Sequence, residues 1–205
     1  MESGRLEKAF IFAAEAHRND TRKGTSIPYV SHLLQVAGLV LELGGDEDEA
    51  IGGLLHDVAE DAGGECALQE ILERFGPTVE LIVRQNSDSL TGRKTNKAPW
   101  RERKEAYLDG IALKSTSALL VSICDKIHNA RSLNADSRFL GPIHWSRFNA
   151  SKEDSLWYYE NLLLAFDKRR DDDPRFANAI ALFRVEVDAL NYSDTSAISQ
   201  MGPIA

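Results

Sequence analysis

The run Leu54-Leu55-His56-Asp57-Val58-Ala59-Glu60-Asp61 constrains this chain more than any other stretch. Across it, Ile51, Leu54, Leu55 and Val58 recur at i, i+3, i+4 and i+7, the stripe of an amphipathic helix with one face in a core. Asp46, with Glu49 three residues on, predicts a capping box at the start of that helix. On a helix Glu60 lies one turn beyond His56, and Asp61 one turn beyond Asp57, so all four side chains project toward neighbouring sectors of one surface. His32 lies upstream and Asp125 downstream. Two imidazoles and two carboxylates from three separated segments have the wiring of an H…HD…D metal centre, with Glu60 and Asp61 within reach of its water. A solvated acidic face would account for the carboxylates. It gives no reason for His56 among them, or for the segments around His32 and Asp125.

Composition sets the bounds on what surrounds this centre. A chain of 205 residues suits one domain with a sizeable core, here residues 1–192, followed by a short tail, 193–205, that has little to bury and is expected to be disordered. The net charge of -8 argues against a general binder of nucleic acid or of anionic membranes. Cys66 and Cys124 cannot form a disulfide framework and neither lies in a CxxC pair, which points to a reducing cytoplasm. The start, from Met1 to Lys8, mixes both charges, unlike a signal peptide, and no segment approaches the roughly 20 apolar residues needed to span a bilayer.

Almost every periodic segment reads as helix. Leu6, Phe10, Ala13, Ala14 and His17 share a face of the first; Leu33, Val36, Ala37, Val40 and Leu41 share a face of the second, capped by Ser31. The helix of the His-Asp run is the third. Leu68, Ile71, Leu72 and Phe75 mark a fourth, closed by Gly76, and Pro77 opens a fifth through Ile82. Segments from Trp100 to about Leu113, Ala118 to about Leu133, Lys152 to about Lys168 and Pro174 to about Leu190 complete the set. With no hairpin pattern and no internal repeat, the fold class is all-α, a helical bundle.

The stretch from Asn86 to Pro99 is polar, rich in breakers and long for a connection, which predicts a mobile loop. It leads into the one basic part of the chain: Arg93, Lys94, Lys97, Arg101, Arg103 and Lys104, interrupted only by Glu102. Beside a carboxylate-rich metal site such a cluster can cover the phosphates of a bound anion. Taken alone it also fits a solubilising surface.

Five ordered segments carry a family resemblance: Ala16-His17 before Arg22-Lys23-Gly24, Pro28-Tyr29-Val30-Ser31-His32, Leu55 to Asp61, Phe75-Gly76, and Asp125-Lys126-Ile127-His128-Asn129-Ala130-Arg131. The chain resembles the HD-domain metal-dependent phosphohydrolases, and within them the (p)ppGpp hydrolase domain of the RelA/SpoT family and its stand-alone small alarmone hydrolases. The resemblance implies that His32, His56, Asp57 and Asp125 are metal ligands, with Mn(II) the usual ion, although this donor set also accepts iron, zinc or cobalt. It implies that Glu60 and Asp61 manage the catalytic water, that Arg22 and Lys23 pack around the base, and that Asn129 lies near the ribose. Arg131 could touch a phosphate or form a structural salt bridge, and Lys97, Arg101 and Lys104 are the candidate phosphate contacts. The expected reaction is metal-dependent removal of the 3′-pyrophosphate of (p)ppGpp, the ion lowering the pKa of bound water, to roughly 7 in the best zinc sites.

Other readings remain open at this stage. The chain inserts Gly24-Thr25-Ser26-Ile27 between Arg22-Lys23 and Pro28-Tyr29, and has Val83 to Asp88 where the long bifunctional enzymes carry a Gly-Val-Thr-Lys type of sequence. The substrate could therefore be a ppApp-type alarmone, a deoxynucleotide or a cyclic nucleotide. A non-catalytic nucleotide sensor is a further alternative, disfavoured by the intact Glu60-Asp61 pair. The chain ends where a synthetase domain would begin, so hydrolysis alone is expected. His17 and His128 read as structural histidines; Trp157, Tyr158 and Tyr159 could flank a ligand, but three adjacent aromatics on a late helix fit core and edge packing better. Oligomeric state is not legible.

Overall fold

The computed structural model describes residues 4–87, 90 and 98–192, apart from the side chains of Asp61, Ala62, Pro142 and Tyr192. Arg93, Lys94, Lys97 and the segment 193–205 lie outside the described residues, and with them most of the expected loop and the whole of the expected tail. The described chain is helical, as the periodicity predicts: α1 (Arg5–Ala16), α2 (Val30–Glu42), α3 (Glu47–Leu55), α4 (Val58–Ala62), α5 (Glu65–Phe75), α6 (Pro77–Asn86), α7 (Trp100–Gly110), α8 (Thr116–Leu140), α9 (Lys152–Asp167) and α10 (Phe176–Tyr192). Short 3-10 turns cover Ile111–Leu113, Gly141–Arg147 and Arg170–Asp172. No strand occurs among the described residues, only an isolated bridge between Thr21 and Pro28. None of the described helices is long and apolar enough to cross a membrane.

Two apolar clusters hold the bundle. One gathers α8, α9 and α10 around Ile123, Ile127, Leu162, Phe166, Phe176 and Phe183; the other joins α1, α3, α5 and α6 through Ala13, Ile51, Leu54, Leu68, Ile71 and Val79. Burying each of the three fully enclosed phenylalanines contributes about 1.5–3 kcal/mol. Helices α2 and α3 supply residues to both clusters, so the segments carrying His32 and His56 run between them. Gly53 makes the closest approach possible: a Cβ there would lie 3.2 Å from the Ala37 Cα, so the glycine lets α3 press its backbone against α2.

The ends of α3 differ from one another. At its start the capping box forms as expected: Asp46 Oδ1 accepts from the Glu49 N–H at 2.8 Å, and Glu49 Oε2 accepts from the Asp46 N–H at 2.9 Å. At its end the helix expected to continue through Asp61 stops at Leu55 and restarts at Val58. His56 Nδ1 lies 2.8 Å from the Gly53 carbonyl, the oxygen that a continuing helix would offer to the Asp57 N–H. The side chain occupies the place of the next rung. A second correction concerns α2, which begins at Val30 with no side-chain cap, leaving Ser31 inside its first turn rather than capping it. Asp20 and Tyr29, joined by a 2.9 Å backbone hydrogen bond across the Thr21–Pro28 bridge, set the entry instead.

Candidate active site

His32 on α2, His56 and Asp57 between α3 and α4, and Asp125 on α8 converge, as their sequence pattern predicts. One ligand atom from each of His32, His56 and Asp57 lies within 4.8 Å of the others. Asp125 Oδ1 joins them at 3.2 Å from His32 Nε2 and 3.8 Å from His56 Nε2. The imidazoles are almost fully enclosed, at 1% and 2% exposure, and Asp125 is buried beside them. Such burial is tolerable for carboxylates only with compensating charge or hydrogen bonds.

Supporting contacts orient the group. Tyr29 Oη donates to Asp57 Oδ2 at 2.6 Å, and Lys126 Nζ donates to Asp125 Oδ2 at 2.6 Å. His32 Nδ1 lies 2.7 Å from His128 Nδ1. His17, buried under the Tyr29 ring at a centroid distance of 4.9 Å, is paired with Asp20 and holds that tyrosine from behind.

The electrostatics follow from this crowding. Burial alone would push the His56 imidazole down, but the Asp57 and Asp125 carboxylates outweigh it and hold the group well above the usual histidine range. For His32 burial wins over Asp125, and its pKa falls. Burial opposes ionisation of both carboxylates, yet His56 beside Asp57, and Lys126 beside Asp125, keep them below the ordinary carboxylate range. His128 is pushed down to about 3, by burial first and then by the charges of His32 and Arg22.

Whether a cation fits can be judged from His56. Its Nε2 is buried and makes no hydrogen bond, although Asp57 Oδ2 is 3.0 Å away. A nitrogen that faces two carboxylates without bonding to either suits a donor set closed by a shared cation. Two imidazole nitrogens and two carboxylate oxygens are also the mix that divalent transition ions accept.

A cavity of about 580 Å³ opens beside the centre. Arg22, Lys23, Tyr29, His128 and Asn129 line one side; Lys104, Trp145, Phe148, Asn149, Tyr158 and Tyr159 are among those lining the rest. Asn129 joins cavity to centre, because its Nδ2 donates to Asp125 Oδ1 at 2.5 Å while its Oδ1 accepts from Arg22 at 2.8 Å. The inserted residues fold into a closed turn, with the Arg22 N–H bonded to the Ile27 carbonyl at 2.8 Å, and Thr25 and Ile27 face the cavity.

The predicted phosphate contacts divide. Lys104 lines the cavity, its Nζ 4.9 Å from the centre of the Tyr158 ring. Arg101 does not: it is stacked 3.2 Å from the centre of the Trp157 ring and is ion-paired with Glu105, so its charge is spent on the helix surface. Arg131 likewise turns away, bonded to Glu186 on α10 at 2.8 Å, the structural alternative weighed for it. Glu60 lies partly exposed on the first turn of α4, close in sequence to Asp57, and the side chain of Asp61 lies outside the described residues. Arg103, a member of the same basic cluster, lines the cavity beside Lys104, and Trp145, Phe148 and Asn149 do so from a segment whose sequence gave no sign of a role.

The HD-domain family profile matches residues 9–139. This chain belongs to the HD-domain family. The HD domain is similar to mouse guanosine-3′,5′-bis(diphosphate) 3′-pyrophosphohydrolase MESH1, 32% identical over 148 residues that make up 71% of this chain and 76% of the mouse protein. The human MESH1 protein is 33% identical over 136 residues, 65% of this chain and 72% of its own length. The bifunctional (p)ppGpp synthase/hydrolase SpoT of Escherichia coli is 29% identical over 137 residues, which are 64% of this chain and only 18% of that enzyme. Among solved structures, that of a metazoan ortholog of SpoT that hydrolyses ppGpp has the same fold, with a TM-score of 0.67 at 24% identity, covering 93% of this chain and 95% of that one.

Proposed function

We propose that this HD domain hydrolyses the 3′-pyrophosphate of (p)ppGpp, giving GDP or GTP and pyrophosphate. The observation that carries the reading is the junction at Asn129, which ties the ligand Asp125 to Arg22 at the wall of the cavity. A nucleotide held along Arg22, Lys23 and Asn129 would present its 3′ substituent to the metal centre. Lys104 and Arg103 would face its phosphates. The similarity to the MESH1 hydrolases over most of their length supports the same substrate class.

His32, His56, Asp57 and Asp125 would hold the ion, for which manganese is our reading. Bound there, a divalent ion supplies acidity to water and charge neutralisation to phosphoryl oxygens. Glu60 and Asp61 form the proposed acid–base pair: one takes the proton of the attacking water, and the other returns a proton to the departing 3′ oxygen. The bond that forms joins water oxygen to the phosphorus on the 3′ oxygen, and the bond that breaks is the ester to the ribose. Residues 1–192 would act as one domain, and both cysteines are free, which suits a reducing cytoplasm.

The closed turn over Gly24 to Ile27 lies against the region assigned to the base, so ppApp belongs on the test panel beside ppGpp. With Mn(II), both 3′-pyrophosphorylated nucleotides should be cut far faster than GTP, dATP or cyclic nucleotides. A preference for a nucleotide without a 3′ phosphate would overturn the proposed function, whereas a preference for ppApp would overturn only the guanine assignment.

A further inference from the structure

The pair His32–His128 has a proton arrangement that can be worked out from geometry. Two ring nitrogens 2.7 Å apart share one proton, because two lone pairs would repel and two N–H groups would collide. His32 points its other nitrogen, Nε2, at Asp125 Oδ1 at 3.2 Å and Asp57 Oδ2 at 3.7 Å. A nitrogen that ligates a cation must carry a lone pair, so a ligating His32 keeps its proton on Nδ1. His128 Nδ1 is placed to accept it. A His128 that accepts at Nδ1 is left with its own proton on Nε2, and this half-buried ring lines the cavity beside Asn129.

We propose that His128 is a positioning residue that fixes the ligating tautomer of His32, and that the same arrangement makes its Nε2 a hydrogen-bond donor toward the nucleotide. In the metal-free protein the reverse arrangement applies: His32 Nε2–H faces Asp125, and His128 Nδ1–H donates to His32 Nδ1. Passing from one to the other releases the His32 Nε2 proton to water, moves the shared proton from His128 to His32, and takes one proton from water at His128 Nε2. Charge is conserved on the pair. Metal occupancy thus decides whether the cavity wall offers the substrate an acceptor or a donor. The metal half stands on the centre alone; the donor half rests on the nucleotide proposed above.

Nitrogen-15 NMR of the imidazoles reads the first half directly, with dialysed protein compared with the diamagnetic Zn(II)-loaded form. Both His32 and His128 should exchange tautomer on loading, and unchanged tautomers would overturn the proposal. Two variants separate positioning from bulk. The amide oxygen of His128→Asn can stand where Nδ1 stands, so Mn(II) affinity without nucleotide should change by no more than about threefold. His128→Phe fills the space without accepting, so affinity should fall on the order of tenfold or more. Equal Mn(II) affinity in the wild type and both variants would contradict the assignment, and if His128→Phe does not fold, the tautomer exchange decides alone. GDP binding to Zn(II)-loaded His128→Asn tests the donor: it should weaken several-fold, and unchanged GDP affinity would remove that half. Failure to turn over ppGpp would leave the metal readouts intact, so the two proposals fail separately.

Discussion

His56 Nε2 lies 3.0 Å from Asp57 Oδ2 and yet is not hydrogen-bonded to it, nor to any other atom of the described chain. Neighbours in sequence reach this arrangement because both lie in the break between α3 and α4, with the His56 ring anchored through Nδ1 to the Gly53 carbonyl. One nitrogen is fixed and the other is left aimed into the centre. An anchored imidazole of this kind costs little further entropy when it takes up an ion.

The raised pKa of His56 sets a pH dependence for metal uptake. In metal-free protein the imidazole is charged below that raised value, so an incoming ion must displace its proton, and metal affinity should rise with pH until His56 is neutral. The sign for stability is opposite. Charged His56 contributes stability in full below the ordinary value of 6.5, and loses it as pH rises through the folded value. Calorimetry in buffers of different ionisation enthalpy should therefore record about one proton released per ion at pH 6.5 and less at higher pH. Proton release independent of pH would mean that another group carries the charge.

Glu60→Gln should leave metal content and nucleotide affinity near wild type while lowering turnover on the order of a hundredfold or more, since it keeps the shape and removes one carboxylate of the proposed acid–base pair. Turnover is compared with a nucleotide-binding titration on the same preparation. Near-normal turnover would reduce Glu60 to part of the acidic surface.

Much of this was legible in the sequence because it is local or redundant. The capping box of Asp46 and Glu49 needs only three residues of spacing, and the core stripe Ile51-Leu54-Leu55 is carried by periodicity alone. The convergence of His32, His56, Asp57 and Asp125 was legible because no packing role explains His56 beside Asp57. What escaped was tertiary. The break after Leu55 depends on a side chain competing for a backbone carbonyl, and periodicity does not encode such competition. Arg101 and Lys104 are close neighbours on one helix and look alike in a basic run, yet Trp157 captures the first and the cavity receives the second. The role of Arg131 depends on Glu186, 55 residues further along the chain, which no local pattern links to it. Trp145 and Phe148 reach the cavity from a 3-10 turn and its end, where no periodic pattern exists to read.

Glu49 does more than cap α3. Its carboxylate takes two bonds from Arg175, at 2.6 and 3.0 Å, and so ties the start of α3 to the segment leading into α10. Burial works against ionisation, but Arg175 and the Asp46 N–H prevail, and the folded pKa falls below 4.5. A lowered carboxylate stabilises above its unfolded value and loses that contribution as pH falls through the folded one. Glu49→Gln should cost about 2–4 kcal/mol at pH 7, less than for a wholly enclosed pair because Arg175 retains 25% side-chain exposure. The deficit should shrink toward pH 4. Urea titrations of both proteins at the two pH values measure it, and an equal deficit at both would assign the loss to packing instead.

The central claim is that water attacks the phosphorus bonded to the 3′ oxygen. Phosphorus-31 NMR of ppGpp incubated with the Mn(II)-loaded protein, quenched with chelator before acquisition, reads the products directly. The account predicts GDP and pyrophosphate in equal amounts, with no orthophosphate, and no products from His56→Ala. Orthophosphate as the first product, or equal cleavage by His56→Ala, would contradict it.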